Sequence, residues 1–316
     1  MDFIKHEKMY APLDIFGPSV DTVNGATWSR HRRLTTRPFN ERNNALVWEE
    51  ALAQSSAMLE TWVAQSQLSN TPISSISSGA AKDEDEVEGE GEKMIEEDGE
   101  GEKPGVAAIA PDIMTLALHV LQRAGFGKKY PFSSSEGEGG VDEIKPGHTM
   151  TYKESLRVVL NNLFMTILME TMSVLPSWCM TEGMGGTKVA VGEFKGYMKE
   201  MVEQERENEG SGENHLLSVL ARDDGKTTLC EDEIYGNLFL YNVAGHDTAA
   251  NTMVAAILLM SANTAVQDWV RKEIMSVFPN RDVDTWEYAA AFPKLVRCLA
   301  VMVSFSPVAR GYIMRY

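Results

Sequence analysis

The chain has 316 residues, 43% of them hydrophobic, and a formal net charge of −17. That is enough apolar material to bury a sizeable core, as one large domain or two smaller ones, while the negative balance argues against nucleic acid as a partner. Three cysteines, odd in number and widely spaced, fit neither a disulfide framework nor a zinc site and suit a reducing, intracellular compartment.

The N-terminus, Met1 to Lys8, holds neither an apolar anchor nor a signal-peptide core. Trp28 and Arg32 stand four apart, which puts them on one helix face. Taken alone, that pair reads as a surface cation–π contact. Asn40 to Ala64 has helical spacing through Ala45, Leu46, Trp48, Leu52, Met58, Leu59 and Trp62, with Pro38 just ahead of it. From about Ser66 to Val106 the composition turns to Ser, Gly and Glu. Between Lys82 and Lys103 twelve Asp or Glu face three Lys, a local balance of −9 that leaves −8 for the rest of the chain. Self-repulsion and scarce apolar residues predict a disordered, solvated insert at about 66–106. A second loop is predicted at about 133–147, around Glu136-Gly137-Glu138-Gly139-Gly140.

Leu156 to Leu175 is apolar but broken by Arg157, Asn161, Asn162 and Glu170, which suits a buried or channel-lining helix rather than a membrane span. Gly183-Met184-Gly185-Gly186-Thr187-Lys188 lacks the order of a phosphate loop and reads as a flexible loop. Glu193 to Asn208 reads as a charged, exposed helix, and Asp223 to Lys226 as a turn. Thr228 and Glu231 have capping-box spacing for the helix that follows. Cys179, Cys230 and Cys298 each read as a small buried hydrophobe.

The apolar, Pro-free run from Glu231 to Asn263 makes a helix roughly 50 Å long at about 1.5 Å per residue. Ala244-Gly245-His246-Asp247-Thr248 breaks it at its centre. A carboxylate there must be paired, neutralised or turned to a cavity where chemistry happens. Ala244 and Gly245 let a flat ligand approach the backbone, and Gly245 lets the helix open locally. The Thr248 hydroxyl can donate to the carbonyl of Ala244, four residues back, which bends the helix. Asp247 points about 100° away from Thr248, so the two communicate through water. A helical core with Asp247 and His246 simply hydrogen-bonded inside it is the competing reading.

Several segments recur in a familiar order. They are Ile15-Phe16-Gly17-Pro18, Trp28 to Arg32, Thr36-Arg37-Pro38-Phe39, Asp112 to Val120 with Ala124-Gly125-Phe126-Gly127, His215 to Leu220, Ala244 to Thr248, and Val266 to Ile274. In that order they resemble the cytochrome P-450 family, the haem-thiolate monooxygenases, and most of all its fungal members. The resemblance implies a mainly α-helical fold with one long central helix, here as a single partial domain over residues 1–316. It implies haem b as cofactor, with Trp28 and Arg32 holding a propionate, Ala244 and Gly245 lining an oxygen groove, and Asp247 and Thr248 organising water and delivering protons. His246 fills a variable position. The implied partners are an NADPH-dependent reductase and an apolar organic substrate, into which one oxygen atom of O2 is inserted. Family members are usually anchored to the endoplasmic reticulum; the expectation is that this sequence begins beyond the anchor and holds no membrane span of its own.

After Phe292 to Met302 the family continues into a Glu-x-x-Arg pair, whereas here Val303-Ser304-Phe305-Ser306-Pro307 follows and no Asp or Glu occurs after Glu287. The Phe-x-x-Gly loop that carries the Cys ligand of such haems does not occur either, and none of the three cysteines has its flanks. The expectation is therefore a truncated, catalytically impaired member with no metal ligand to assign. The alternative is a non-catalytic helical protein that binds a partner through its acidic insert or an exposed apolar face. Helix faces near Leu258, Leu259, Val270 and Leu295 are expected to be exposed.

Overall fold

Gly17 and Gly236, distant in sequence, meet backbone to backbone. A Cβ on Gly236 would lie 2.1 Å from the Gly17 carbonyl oxygen, and one on Gly17 would lie 2.1 Å from that of Asp232. Gly17 also has φ 124°, a conformation that favours glycine. The Phe16 loop can therefore seat its ring in the core, 5.5 Å from Phe194 and 4.7 Å from Phe239.

The computed structural model describes residues 4–6, 10, 13–69, 109–132, 143–162, 182–208, 215–222, 228–280, 282–291 and 294–305. Among them all regular structure is helical, with no strand. Helix α1 is Gly25–Thr35 and α2 is Glu41–Ser69, the latter opened by Asn40, whose side chain accepts from the Asn43 amide at 3.1 Å. Next come α3 (Ile109–Phe126), α4 (Tyr152–Asn161), α5 (Glu182–Glu207) and α6 (Leu216–Ala221). The central helix consists of α7 (Glu231–Asn242), a π turn (Val243–Asp247) and α8 (Thr248–Ser261). Helices α9 (Thr264–Val277), α10 (Tyr288–Ala291) and α11 (Val296–Phe305) follow.

Helix α3 is apolar on two sides, and this makes it the centre of the packing. Leu118 and Phe126 belong to the larger cluster, with Tyr152, Leu156, Phe194, Tyr197, Leu217 and Leu238. Ile113, Leu116 and Ala117 belong to a second cluster with Met58 of α2 and Ala250 of α8. The π turn packs against this same helix. A buried polar network ties α1 to the start of α7. Glu233 accepts from Arg30 Nη1 at 3.0 Å, from Arg30 Nη2, and from the Cys230 amide at 3.0 Å, while His31 Nε2 lies 3.2 Å from it. Asn237 Nδ2 lies 3.0 Å from His31 Nδ1, so Nδ1 accepts and Nε2 is left to donate to Glu233.

Several sequence expectations change. Helix α5 is not an exposed charged helix: Ala190, Phe194, Tyr197, Met198, Met201 and Val202 are buried at helical spacing, Lys195, Lys199 and Glu203 are exposed, and Glu193 and Glu205 are drawn in toward His148 and His215. The stretch from Gly183 to Lys188 is the opening of α5 rather than a loop, because its small residues continue the helix that this apolar face anchors. The capping box is formed two residues later than expected, by Cys230 and Glu233 rather than Thr228 and Glu231. Cys230 is consequently exposed and not a buried hydrophobe; Cys298 is half-buried, and burial beside Glu273 raises its thiol pKa. Helix α2 also runs to Ser69, past the expected start of the insert at about 66. Residues 70–108, most of the loop at 133–147, Leu163 to Leu175, Cys179 and Asp223 to Lys226 lie outside the described residues. Leu258 and Leu259 are exposed, as expected, whereas Val270 and Leu295 are partly covered.

Candidate functional site

The π turn is held open by side chains that take over backbone acceptors. The Thr248 hydroxyl donates to the Ala244 carbonyl at 2.8 Å, and His246 Nδ1–H donates to the Asn242 carbonyl at 2.6 Å. Each bond reaches four residues back, to an oxygen that a regular α-helix would give to a backbone N–H, and the ladder widens by one residue. One turn later Thr252 repeats the pattern on the Thr248 carbonyl at 2.8 Å. Ala244, Gly245 and Thr248 are exposed, Asp247 is half-buried, and His246 is buried. The turn therefore presents a nearly side-chain-free strip of backbone, a hydroxyl and a carboxylate on its open side, with an imidazole behind.

Gly245 has a second reason to be glycine. A Cβ there would meet Leu121 of α3 at 3.0 Å, so its small size also seats the turn on that helix. Behind the turn, Asn242 is buried. Its Nδ2 donates to the Leu238 carbonyl at 2.8 Å and its Oδ1 accepts from the Tyr152 hydroxyl at 2.7 Å. In the sequence Asn242 registers only as a polar interruption of an apolar run; nothing local identifies it as the support of the turn.

Burial pushes the His246 pKa below the ordinary imidazole value, against the opposing pull of the Asn242 carbonyl and the Asp247 charge. A depressed imidazole pKa stabilises the fold fully above the unfolded value of about 6.5 and loses that contribution as pH falls through the folded value. We expect an NMR titration of the His246 ring to show it neutral at pH 7, with its midpoint below the ordinary imidazole value. His246→Leu should abolish that titration and, by leaving the Asn242 carbonyl without its donor, cost about 1–2 kcal/mol in urea unfolding.

Trp28 and Arg32 lie together on the exposed side of α1. Trp28 is 39% exposed with Lys5 Nζ 5.8 Å above its ring, and Arg32 makes no ion pair among the described residues. Such an uncommitted guanidinium beside an indole suits a carboxylate ligand. No hydrogen bond or ion pair joins Trp28 or Arg32 to the π turn among the described residues. The connection runs through Tyr241, two residues before Val243, which stacks near Phe39 at 6.0 Å. Burial raises its phenol pKa, while the nearby Thr35 hydroxyl and the charge of Arg32 pull it back. Tyr241 was not singled out from the sequence, where it is one aromatic residue in an apolar run.

A haem would meet suitable groups on two sides: the bare backbone strip with its hydroxyl and carboxylate, and the free cation of Arg32 beside Trp28. The iron ligand is another matter. Cys230 caps α7 and Cys298 sits in α11 against the Glu273 carboxylate, which accepts from its amide at 3.2 Å. A raised thiol pKa is the reverse of what a thiolate ligand needs. The described cysteines do not fit that role.

Residues 102–300 match the cytochrome P450 family model. The relatives include the cytochrome P450 monooxygenase prx9 of Penicillium rubens, 29% identical over 88% of this chain and 43% of the relative. Cytochrome P450 monooxygenase 124 of Postia placenta is 26% identical over 97% of this chain and 52% of the relative. Among solved structures, that of the cytochrome P450 CYP102L1 aligns with a TM-score of 0.65 at 14% identity, over 96% of this chain and 58% of that one. The chain belongs to the cytochrome P450 family. It spans about half the length of the curated relatives it matches. No single helix among the described residues is long and apolar enough to cross a membrane; the only pair that passes such a test together is bent by 112°.

Proposed function

We propose that these residues carry the oxygen-activating and propionate-binding parts of a haem-dependent monooxygenase that inserts one atom of O2 into an apolar organic substrate. The observation that carries this reading is the π turn: the Thr248 hydroxyl anchored on Ala244 at 2.8 Å, beside Asp247, on an exposed strip of small residues. Haem, when bound, supplies the redox chemistry, with electrons from an NADPH-dependent reductase. Arg32 and Trp28 hold one of its propionates. Ala244 and Gly245 leave the backbone open to a flat face. Asp247 stores a proton, and Thr248 positions water between that carboxylate and the reacting oxygen. Within these 316 residues no cysteine has the flanks of the family's ligand loop, so by themselves they do not make a thiolate-ligated haem.

Sequencing the full-length transcript past the Met302 codon tests the reading. A continuing frame with a Glu-x-x-Arg pair and a Cys loop supports the enzyme. A stop after Tyr316 supports a non-catalytic, partner-binding protein, a reading favoured by Leu258, Leu259, Val296, Leu299 and Val303, which lie exposed on α8 and α11. In an enzyme so completed, Thr248→Ala and Asp247→Asn are each expected to lower product formed per NADPH consumed, by about tenfold or more. Haem content should stay unchanged. Arg32→Leu should instead weaken haem retention.

A further inference from the structure

Away from the π turn, a small cavity of about 70 Å³ lies between the end of α3, the start of α4 and the second half of α5. Its wall includes Gln122, Lys128, Tyr130, Lys145, Tyr197 and Gln204, and no carboxylate among the described residues. Gln122 is 1% exposed, and its Nε2 makes no hydrogen bond among the described residues although the amide lies beside Tyr152. An orphaned amide donor at that depth calls for a partner. Lys128 Nζ uses one of its N–H groups on Gln204 Oε1 at 3.1 Å and keeps the others. Lys145 Nζ sits 5.5 Å over the Tyr197 ring and pairs with the half-buried Glu200 at 3.8 Å.

Three of the acceptors around this space are already engaged. Gln204 Oε1 is taken by Lys128, while the Tyr197 hydroxyl donates to the Met150 carbonyl at 2.8 Å and the Tyr152 hydroxyl donates to Asn242 at 2.7 Å. Burial raises the phenol pKa values of Tyr130, Tyr152 and Tyr197, so these rings stay neutral and bring no negative charge. An anion would use every donor. The volume exceeds the roughly 10–15 Å³ that one water requires in the same measure, which leaves room for three or four heavy atoms.

We propose that this cavity binds a small planar carboxylate or oxyanion, held by the Gln122 amide and the Lys128 and Lys145 ammonium groups. The test is a titration of the full 316-residue chain with 13C-formate at constant ionic strength in gluconate buffer. Line broadening of formate should saturate, the thermal midpoint should rise saturably, and nitrate should displace formate. Lys128→Met and Gln122→Met should each weaken formate at least tenfold, whereas Lys129→Met, whose charge lies outside the cavity, should not. If Gln122→Met fails to fold, Lys128→Met at the rim still decides the matter. Absence of saturation, absence of displacement by nitrate, or equal binding by Lys128→Met overturns the proposal and leaves water as the only occupant.

Discussion

Gly236→Ala is expected to be among the most damaging single substitutions in the chain, at about 3 kcal/mol or more in urea unfolding. The reason is the nature of the neighbours. A Cβ at this position would lie 2.1 Å from the Gly17 oxygen and 2.6 Å from the Pro18 oxygen, and both are backbone atoms that no rotamer change can move. Relief requires lifting the Phe16 loop from α7, which withdraws the Phe16 ring from between Phe194 and Phe239. Gly125→Ala in α3 is the matched control. Its Cβ would meet only the Leu121 side chain, at an ordinary 3.4 Å, and replacing a helical glycine should be neutral or stabilising by up to about 1 kcal/mol. Equal losses at the two positions would mean that the close approach of Gly17 and Gly236 does not govern stability.

The second large effect concerns Glu233. Burial pushes its carboxyl pKa up, but hydrogen bonds from the Cys230 amide, Arg30 and His31, together with the Arg30 charge, hold it at about 2. A carboxylate with a depressed folded value contributes stability that is fully present above its unfolded pKa, about 4.3, and is lost as pH falls toward about 2. That contribution is on the order of 3 kcal/mol. We expect acid unfolding in the window between those values, and Glu233→Gln should flatten the pH dependence there. Glu233→Ala should cost more at neutral pH, about 3–5 kcal/mol, because Arg30, the buried His31 and the Cys230 amide lose the carboxylate they converge on. Denaturation curves from pH 2 to pH 7 check both expectations. An unaltered acid limb in Glu233→Gln would show that other carboxylates set it.

The sequence made the central helix and its opening legible because the signal there is local. Ala244, Gly245 and Thr248 are small residues and a back-bonding alcohol at a spacing of four, and the Thr248 hydroxyl lies where that spacing puts it. Trp28 and Arg32 were equally legible as one helix face. What escaped was everything set by distant partners. Asn237 and Asn242 looked like blemishes in an apolar run; one serves the Val20 amide and His31, the other Tyr152. Gly236 carried no local sign that a loop more than two hundred residues earlier would press on it. Helix α5 was misread for a similar reason. Its many charges dominate the composition of Glu193 to Asn208, and only the i, i+3, i+4, i+7 spacing of Phe194, Tyr197, Met198 and Met201 shows the face it buries.

Whether the π turn proposed to activate oxygen stands without an iron-gripping thiolate in these residues is decided by a carbon monoxide difference spectrum of the purified 316-residue chain reconstituted with haem and reduced. The expected result is either no retained haem or a ferrous carbonyl spectrum without the signature of sulfur ligation. A spectrum of thiolate-bound ferrous haem, abolished by replacing any one of Cys179, Cys230 or Cys298, would contradict the account.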